Sequence, residues 1–187
     1  MPKEEFVKKN LALVCVFAAG AALVACGGEQ ERIGMGEKNA IFEVYRVIES
    51  VRTPNGSRWC IDEANGGNVY MYEGCDDSAP THLWKFVPFR SQAAVVGEGV
   101  YFIVSKRTGR CLSRSTGPMY PDSSLTTRAC AVTTNQLWWV SGLNSAEMTI
   151  GEYSGINPRD VDRYRVDWGY PNRVQTYAAH GGMNQRW

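Results

Sequence analysis

Apolar and polar residues alternate over short runs between residues 44 and 187, and long stretches of helical period are few. Alternation with a period of two places successive side chains on opposite faces of the backbone, as in a half-buried β-strand. The 19 glycines, nine tyrosines and six tryptophans agree with a loop-rich chain that carries aromatic anchors. This part of the sequence therefore predicts an all-β domain built from short strands.

One longer apolar run, residues 11–24, stands apart from this pattern. It follows Lys3, Lys8 and Lys9, and at about 14 residues it is too short to cross a bilayer of roughly 30 Å as a helix. A basic start followed by such a run is typical of a secretory signal. We therefore assign residues 1–25 to a signal peptide and exclude them from the fold.

The signal ends in Leu23-Val24-Ala25-Cys26, which resembles the lipobox of bacterial lipoproteins. The resemblance implies cleavage before Cys26 and acylation of that cysteine, and Gly27 at the next position implies sorting to the outer membrane. Several acyl chains anchor a protein stably, at about 0.8 kcal/mol for each buried CH₂. We expect a lipid-anchored protein, periplasmic or surface-exposed, with residues 26–40 as the lipidated cysteine and its tether. Secretion behind an ordinary signal peptide with a chance cysteine is the alternative.

Roughly 160 residues remain after the signal, which is enough for one domain with a sizeable core. The whole chain carries a formal net charge of +1. The signal holds three lysines against Glu4 and Glu5, which is also +1, so the mature part is formally neutral. A neutral domain has no basic footprint for nucleic acid, and we expect no nucleic-acid partner.

Four of the six cysteines remain once Cys15 leaves with the signal and Cys26 is acylated. They are Cys60, Cys75, Cys111 and Cys130. Four cysteines allow three pairings, and export favours disulfides over free thiols. Metal binding is the competing interpretation, but no Cys-x-x-Cys pair occurs and the two histidines are far apart in sequence. We expect neither a metal nor a cofactor.

Three segments of the chain can be laid over one another, and each closes on a tryptophan two residues after an amide or imidazole. The separation from Asp62 to Tyr72 equals that from Asp167 to Tyr177, so the first and third segments align there without a gap. The closing triplets are His82-Leu83-Trp84, Gln136-Leu137-Trp138 and Gln185-Arg186-Trp187.

These triplets resemble the Q-x-W repeats of ricin-B-type lectins. The resemblance implies an all-β, pseudo-threefold β-trefoil over residues 41–187, with repeats at about 44–90, 91–142 and 143–187. It also implies disulfides within repeats, Cys60 to Cys75 and Cys111 to Cys130. The third repeat has Arg165 and His180 at the cysteine positions.

The same resemblance implies carbohydrate-binding residues. A carboxylate accepts bonds from sugar hydroxyls, an aromatic ring packs on the sugar's C–H face, and an amide orients it. The third repeat has this set most fully, and the first is a second candidate; in the second, Ser113 and Arg128 replace the Asp and the aromatic. The candidates are Asp167, Gln175, Tyr177, Asn184 and Gln185 in the third repeat, and Asp62, Tyr70 and Tyr72 in the first. Gln185 bonding backbone, the aspartates capping turns and the tyrosines serving as ordinary strand residues are the structural alternatives.

We predict a lectin that binds a glycan, galactose-like sugars being one candidate class, and not an enzyme. No Gly-x-Ser-x-Gly, His-Glu-x-x-His or phosphate loop is present. The lipoprotein signal followed by this trefoil is also similar to the A subunit of cytolethal distending toxins, which implies a toxin-complex partner and a cell surface. Exposed aromatics around Trp168 and Tyr170 would favour that alternative. A trefoil that binds another envelope protein is the third.

Overall fold

The computed structural model describes residues 44–89, 98–115, 123–153, 163–169 and 171–187. The predicted signal peptide, Cys26, the tether and Tyr170 lie outside these ranges. In the described residues no helix is long and apolar enough to cross a membrane. Short 3₁₀ turns occur at Pro54–Gly56, Asn65–Gly67 and Met183–Gln185.

Eleven strands make up the rest of the described secondary structure. They are β1 (Arg46–Val47), β2 (Trp59–Glu63), β3 (Val69–Glu73), β4 (Leu83–Pro88), β5 (Gly99–Ser105), β6 (Cys111–Arg114), β7 (Ser123–Arg128), β8 (Trp138–Ser141), β9 (Thr149–Glu152), β10 (Tyr164–Gly169) and β11 (Arg173–Ala178).

The strands divide between a barrel and a cap. In the barrel β1 pairs with β4, β4 with β5, β5 with β8, and β8 with β9, all antiparallel. The last residues close the ring, since the Trp187 amide donates to the Met148 carbonyl (2.8 Å) and the Val51 amide to the Arg186 carbonyl (2.9 Å).

Three hairpins, β2–β3, β6–β7 and β10–β11, form the cap. They meet where β11 pairs with β3 at Arg173 and Tyr70 and with β7 at Gln175 and Ser124. A bridge between Asn68 and Thr126 joins the other two hairpins. A closed barrel capped by three hairpins is a β-trefoil, so the predicted fold class is confirmed.

The three tryptophans of the closing triplets lie in the core and repeat one contact. The indole N–H donates to a backbone carbonyl of the first cap strand of the same repeat: Trp84 to Ile61 (3.0 Å), Trp138 to Leu112 (3.0 Å) and Trp187 to Val166 (3.3 Å). Each ring is buried, and removing apolar area from water contributes about 25 cal/mol per Å². The triplets thus tie barrel to cap three times.

The residue two positions after Ile61, Leu112 and Val166 differs between the repeats, although the three positions are equivalent. Glu63 is buried and accepts bonds from the hydroxyls of Ser105, Thr108 and Thr127. Arg114 instead forms a buried ion pair with Glu152 (2.9 Å). The third equivalent is Trp168, described below. Three chemically different contacts at equivalent places distinguish the repeats and define their order around the axis.

The cysteines depart from the expected pairing in the first repeat. Cys111 and Cys130 form a disulfide, as predicted. Cys60 and Cys75 are free thiols, so the predicted bond between them is not formed. Cys130 follows the cross-strand partner of Cys111 by two residues, whereas Cys75 follows Tyr72, the partner of Cys60, by three. The added residue enters next to Gly74, which has φ of 85°.

Candidate functional site

Asp62 and Tyr70 lie directly opposite each other in the β2–β3 hairpin. Side chains two residues apart on a strand share a face, so Tyr72 projects on the same side as Tyr70. Val69 and Met71 project on the other side and belong to the core. The alternation along β3 therefore brings a carboxylate and two phenols together outside the barrel.

Asp62 is buried at the base of this group, with 4% of its surface exposed. The Tyr70 hydroxyl hydrogen-bonds to it, and this bond is the main reason that the pKa of Tyr70 is raised to about 12. Nε2 of His82 lies 3.2 Å from Asp62 Oδ1. A carboxylate has about four acceptor positions, so two neighbours leave room for further donors.

The tautomer of His82 follows from its other nitrogen. Nδ1 accepts a hydrogen bond from the backbone N–H of Asp76 (3.0 Å), and a nitrogen that accepts this bond carries no proton. A neutral imidazole then has its proton on Nε2, facing Asp62. His82 therefore presents a donor to the carboxylate.

These residues line an open cleft of about 630 Å³, which lies within the usual range of ligand sites, about 300 to 1,000 Å³. Tyr72 is 44% exposed and its ring packs on His82 with centroids 5.0 Å apart. An exposed aromatic face thus stands next to a buried carboxylate. Further lining residues include Asn65, Asp76, Thr81 and Arg107.

The third repeat contains an equivalent group. Asp167 lies opposite Gln175 on β10 and β11, as Asp62 lies opposite Tyr70. Asn184 Nδ2 donates to Asp167 Oδ2 (2.8 Å), and Tyr177 is 39% exposed like Tyr72. Burial raises the pKa of Asp167, and the hydrogen bond from Gln185 and the neighbouring His180 partly oppose that rise. The structure therefore groups the other four predicted residues of this repeat around Asp167, and Gln185 lies on its buried side.

Gln185 is fully buried and its amide is occupied by backbone. Its Oε1 accepts the amides of His180 (3.0 Å) and Gly181 (3.3 Å), and its Nε2 donates to Ala178 (2.9 Å). Gln136 makes the same pair of bonds in the second repeat. These bonds agree with the structural alternative, in which Gln185 supports the turn that carries Asn184. Sugar binding by Gln185 stays a prediction.

This backbone pattern also corrects the alignment of His180. Gln136 bonds the amide of Ala131, the residue after Cys130, and Gln185 bonds the amide of His180 in the same way. Ala179, and not His180, therefore occupies the cysteine position. His180 is free to turn inward, and its Nε2 lies 3.3 Å from Asp167 Oδ2.

Gln175 is buried against its own hairpin. A Cβ atom at Gly169 would come within 2.8 Å of the Gln175 amide nitrogen. Glycine at this position lets the amide lie across β10 next to Asp167. Gln175 therefore lies next to Asp167 beneath the surface of the third repeat's site, whereas Tyr70 contacts Asp62 from within the cleft of the first repeat.

Sequence reasoning did not identify His82, Asn65 or Arg107 as members of the first site. Arg107 belongs to the turn after β5, in the following repeat, and reaches the cleft only because the repeats pack around the axis. His82 could have been found, because it replaces a glutamine that is held by backbone in both other repeats. A second polar function is the natural reason for such a change.

Solved structures with the same fold show how far the likeness extends. ThreeFoil, a designed threefold-symmetric protein, matches with a TM-score of 0.57 at 16% identity, over 76% of this chain and 94% of that chain. An exo-β-1,3-galactanase from Clostridium thermocellum matches with a TM-score of 0.52 at 17% identity, over 76% and 29%. The Haemophilus ducreyi cytolethal distending toxin matches with a TM-score of 0.51 at 14% identity, over 76% and 80%.

No protein-family model matches the sequence, and no curated protein matches it either. At these low identities, the likeness to solved structures establishes the β-trefoil fold.

Proposed function

We propose that this protein binds carbohydrate through the cleft of its first repeat. The observation that supports the proposal most directly is the buried Asp62 carboxylate beside the exposed ring of Tyr72. A sugar offers hydroxyl groups on its edge and C–H bonds on its face, and this pair of side chains complements both. The third repeat, which has the fuller set of family residues in sequence, becomes the second site.

Each side chain has a separate task in this proposal. Asp62 accepts hydrogen bonds from two neighbouring hydroxyls, while His82 and Tyr70 hold its carboxylate in place. Tyr72 supplies the flat wall, and Asn65 at the rim supplies an amide. Holding the Asp62 carboxylate in position through these two neighbours lowers the entropic cost of binding.

The third repeat adds a second contact point, with Asp167 as acceptor, Tyr177 as wall and Asn184 as the orienting amide. Shallow single sites bind weakly, with dissociation constants near ~1 mM. Two sites on one domain, displayed in many copies by a lipid anchor on the outer membrane, raise the effective affinity for a glycan surface.

The toxin-delivery alternative has less support from the described residues. It predicts exposed aromatics around Trp168 and Tyr170. Tyr170 lies outside the described residues, and the Trp168 ring is buried, packs on Trp59 at 4.9 Å between centroids and is covered by Arg52. The exo-β-1,3-galactanase and the toxin are about equally similar to this chain, with TM-scores of 0.52 and 0.51. The choice between carbohydrate binding and toxin delivery therefore rests on the chemistry of the site and not on the similarity to these structures.

The proposal is tested with the whole protein in mild detergent on an immobilised glycan panel, beside Asp62→Asn, Tyr72→Ala and Tyr177→Ala. Arg128→Ala is the matched control, because Arg128 occupies the place of Tyr72 in the repeat that has Ser113 in place of the site aspartate. We expect Asp62→Asn to lose binding, Tyr72→Ala to weaken it at least about tenfold, and Arg128→Ala to leave it unchanged. Folding of each variant is checked by near-ultraviolet circular dichroism. Silence of the unmodified protein across the panel, with fold intact, would contradict carbohydrate binding and favour a protein partner.

A further inference from the structure

Arg107 is held in position at the rim of the first cleft by two hydrogen bonds. Its Nη1 donates to the backbone carbonyl of Glu63 (2.9 Å), and its Nη2 donates to the side-chain oxygen of Asn65. Both acceptors are neutral. A guanidinium has five N–H donors and stays charged at any ordinary pH. Within the described residues, Arg107 uses two of these donors in the bonds above and forms no ion pair with a carboxylate.

The charge of Arg107 acts on the cleft. It is one of the influences on the Tyr70 phenol, whose pKa it lowers against the larger effect of Asp62. Asp76 lies on the same cleft, but its Oδ1 is engaged in its own turn, where it accepts bonds from the Ser78 amide (2.8 Å) and hydroxyl (2.6 Å). The cleft therefore has a carboxylate for hydroxyl groups at its base and a fixed cation at its rim.

The candidate site of the third repeat has an arginine that is equivalent to Arg107. In each repeat a backbone amide donates to the carbonyl of the central residue of the closing triplet. The pairs are Lys106 with Leu83, Tyr153 with Leu137, and Val51 with Arg186, so the three turns can be aligned. Arg107 and Arg52 both follow this amide, and each has its own N–H bonded to a serine Oγ two residues before it (3.1 Å).

The two arginines also face equivalent residues of their sites. Arg107 bonds the carbonyl of Glu63, which follows Asp62, and Arg52 lies over the ring of Trp168, which follows Asp167. In the turn that bonds the triplet of the second repeat, the residue that follows Tyr153 in the sequence is Ser154. The second repeat also has Ser113 in place of the aspartate. An arginine at this turn position and an aspartate at the site position thus occur together at two of the three equivalent sites, and serines occupy both positions at the remaining one.

We propose that the first cleft selects saccharides that carry an anionic group, with Asp62 accepting the sugar hydroxyls and Arg107 binding the anion. This inference rests on the proposed carbohydrate function and specifies its ligand class. A carboxylate on a uronic acid and a sulfate ester share the required charge. A fixed guanidinium binds either with charge-assisted hydrogen bonds, and its planar fork matches a carboxylate most closely.

The experiment measures the affinity of the whole protein for galactose, galacturonic acid and galactose 6-sulfate, each displayed on the same polymer, at low and high salt. The variants are Arg107→Gln and Arg107→Lys. Lys106→Gln is the matched control, since it removes a positive charge from the same turn but its ammonium lies over Tyr45 and not in the cleft.

We expect at least one acidic sugar to bind about tenfold or more tightly than galactose, with the preference shrinking at high salt. Arg107→Gln should remove the acidic preference and Arg107→Lys should keep part of it. Lys106→Gln should keep the whole preference and leave galactose binding unchanged. Preference for galacturonic acid over the sulfate identifies the carboxylate, and the reverse order identifies the sulfate.

Two results would overturn the inference. Galactose binding without any acidic preference, or a preference that survives in folded Arg107→Gln, removes Arg107 as the anion site and leaves the carbohydrate function standing. Absence of binding to neutral and acidic sugars alike removes both the inference and the function on which it rests.

Discussion

Nε2 of His82 lies 3.2 Å from Asp62 Oδ1, while Nδ1 of the same ring accepts the backbone amide of Asp76. The second contact is the one that Gln136 and Gln185 make through Oε1 in the other repeats. Histidine thus preserves the turn of the triplet and adds a donor to the carboxylate of the cleft. Histidine in place of glutamine in this triplet therefore combines a structural contact with a contact to the candidate site.

This double role predicts different results for two substitutions. His82→Ala removes the acceptor of the Asp76 amide, and a typical intramolecular hydrogen bond contributes about 0.5 to 1.5 kcal/mol. His82→Gln supplies an amide oxygen and should stay within about 1 kcal/mol of the unmodified protein, yet weaken glycan binding because Asp62 loses its neighbour. Urea denaturation measures the free energy of unfolding. Equal losses in both variants would show that the Asp76 contact is not the stabilising one.

The repeated indole contact predicts equal effects at two tryptophans. Trp84→Phe and Trp138→Phe keep an aromatic ring but remove the N–H that serves the Ile61 or Leu112 carbonyl. Each should lower the free energy of unfolding by about 1 to 3 kcal/mol, and the two should agree within about 1 kcal/mol. Values far apart would mean that the pseudo-threefold contacts are not energetically equivalent.

The buried pair of Arg114 and Glu152 predicts a pH-dependent variant. Arg114→Met leaves the carboxylate buried without its cation, which costs about 3 to 5 kcal/mol near pH 7. Burial already raises the pKa of Glu152, and losing Arg114, which lowers it, raises it further. A carboxyl with a raised folded pKa loses stability as pH rises through that value.

The deficit of Arg114→Met should therefore grow from pH 5 to pH 8, as followed by urea denaturation at several pH values. The double variant Arg114→Met with Glu152→Gln is the control, because the glutamine does not ionise. A deficit independent of pH in the single variant would locate its cause in packing and not in the charge of Glu152.

The thiols of the first repeat predict a labelling pattern. Burial is the main cause of the raised pKa values of Cys60 and Cys75, so little thiolate forms and alkylation of the native protein at pH 8 should be slow. In urea without reductant, mass spectrometry should find both cysteines alkylated and Cys111 and Cys130 unlabelled until reduction. If Cys60 and Cys75 also remain unlabelled before reduction, the bond implied by the family resemblance forms in the exported protein.

Removal of the Cys111–Cys130 disulfide should cost about 3 kcal/mol, because its loop is of the length for which closure entropy predicts that value. The paired substitution Cys111→Ser with Cys130→Ser measures this cost in urea. Cys60→Ser with Cys75→Ser is the comparison, and a smaller loss there would agree with free thiols.

The sequence alone determined what repeats locally. The closing triplets, the gapless spacing from Asp62 to Tyr72 and from Asp167 to Tyr177, and the alternation along each strand depend on neighbours in the chain. They were sufficient for an all-β chain of three repeats, and the resemblance of the triplets to Q-x-W repeats implied the trefoil and both aspartate groups. The same reasoning placed Tyr70 and Gln175 at equivalent positions, as the strand register does.

Tertiary structure alone decided what depends on distant residues. Arg107 reaches the Asp62 cleft from the next repeat, Trp168 is buried because Trp59 and Arg52 cover it, and Gln185 is occupied by backbone of its own turn. Cys60 and Cys75 differ from the second pair through a single added residue next to Gly74. Burial and hydrogen-bond partners are properties of the packed chain, and a repeat pattern specifies which positions are equivalent without specifying what each one touches.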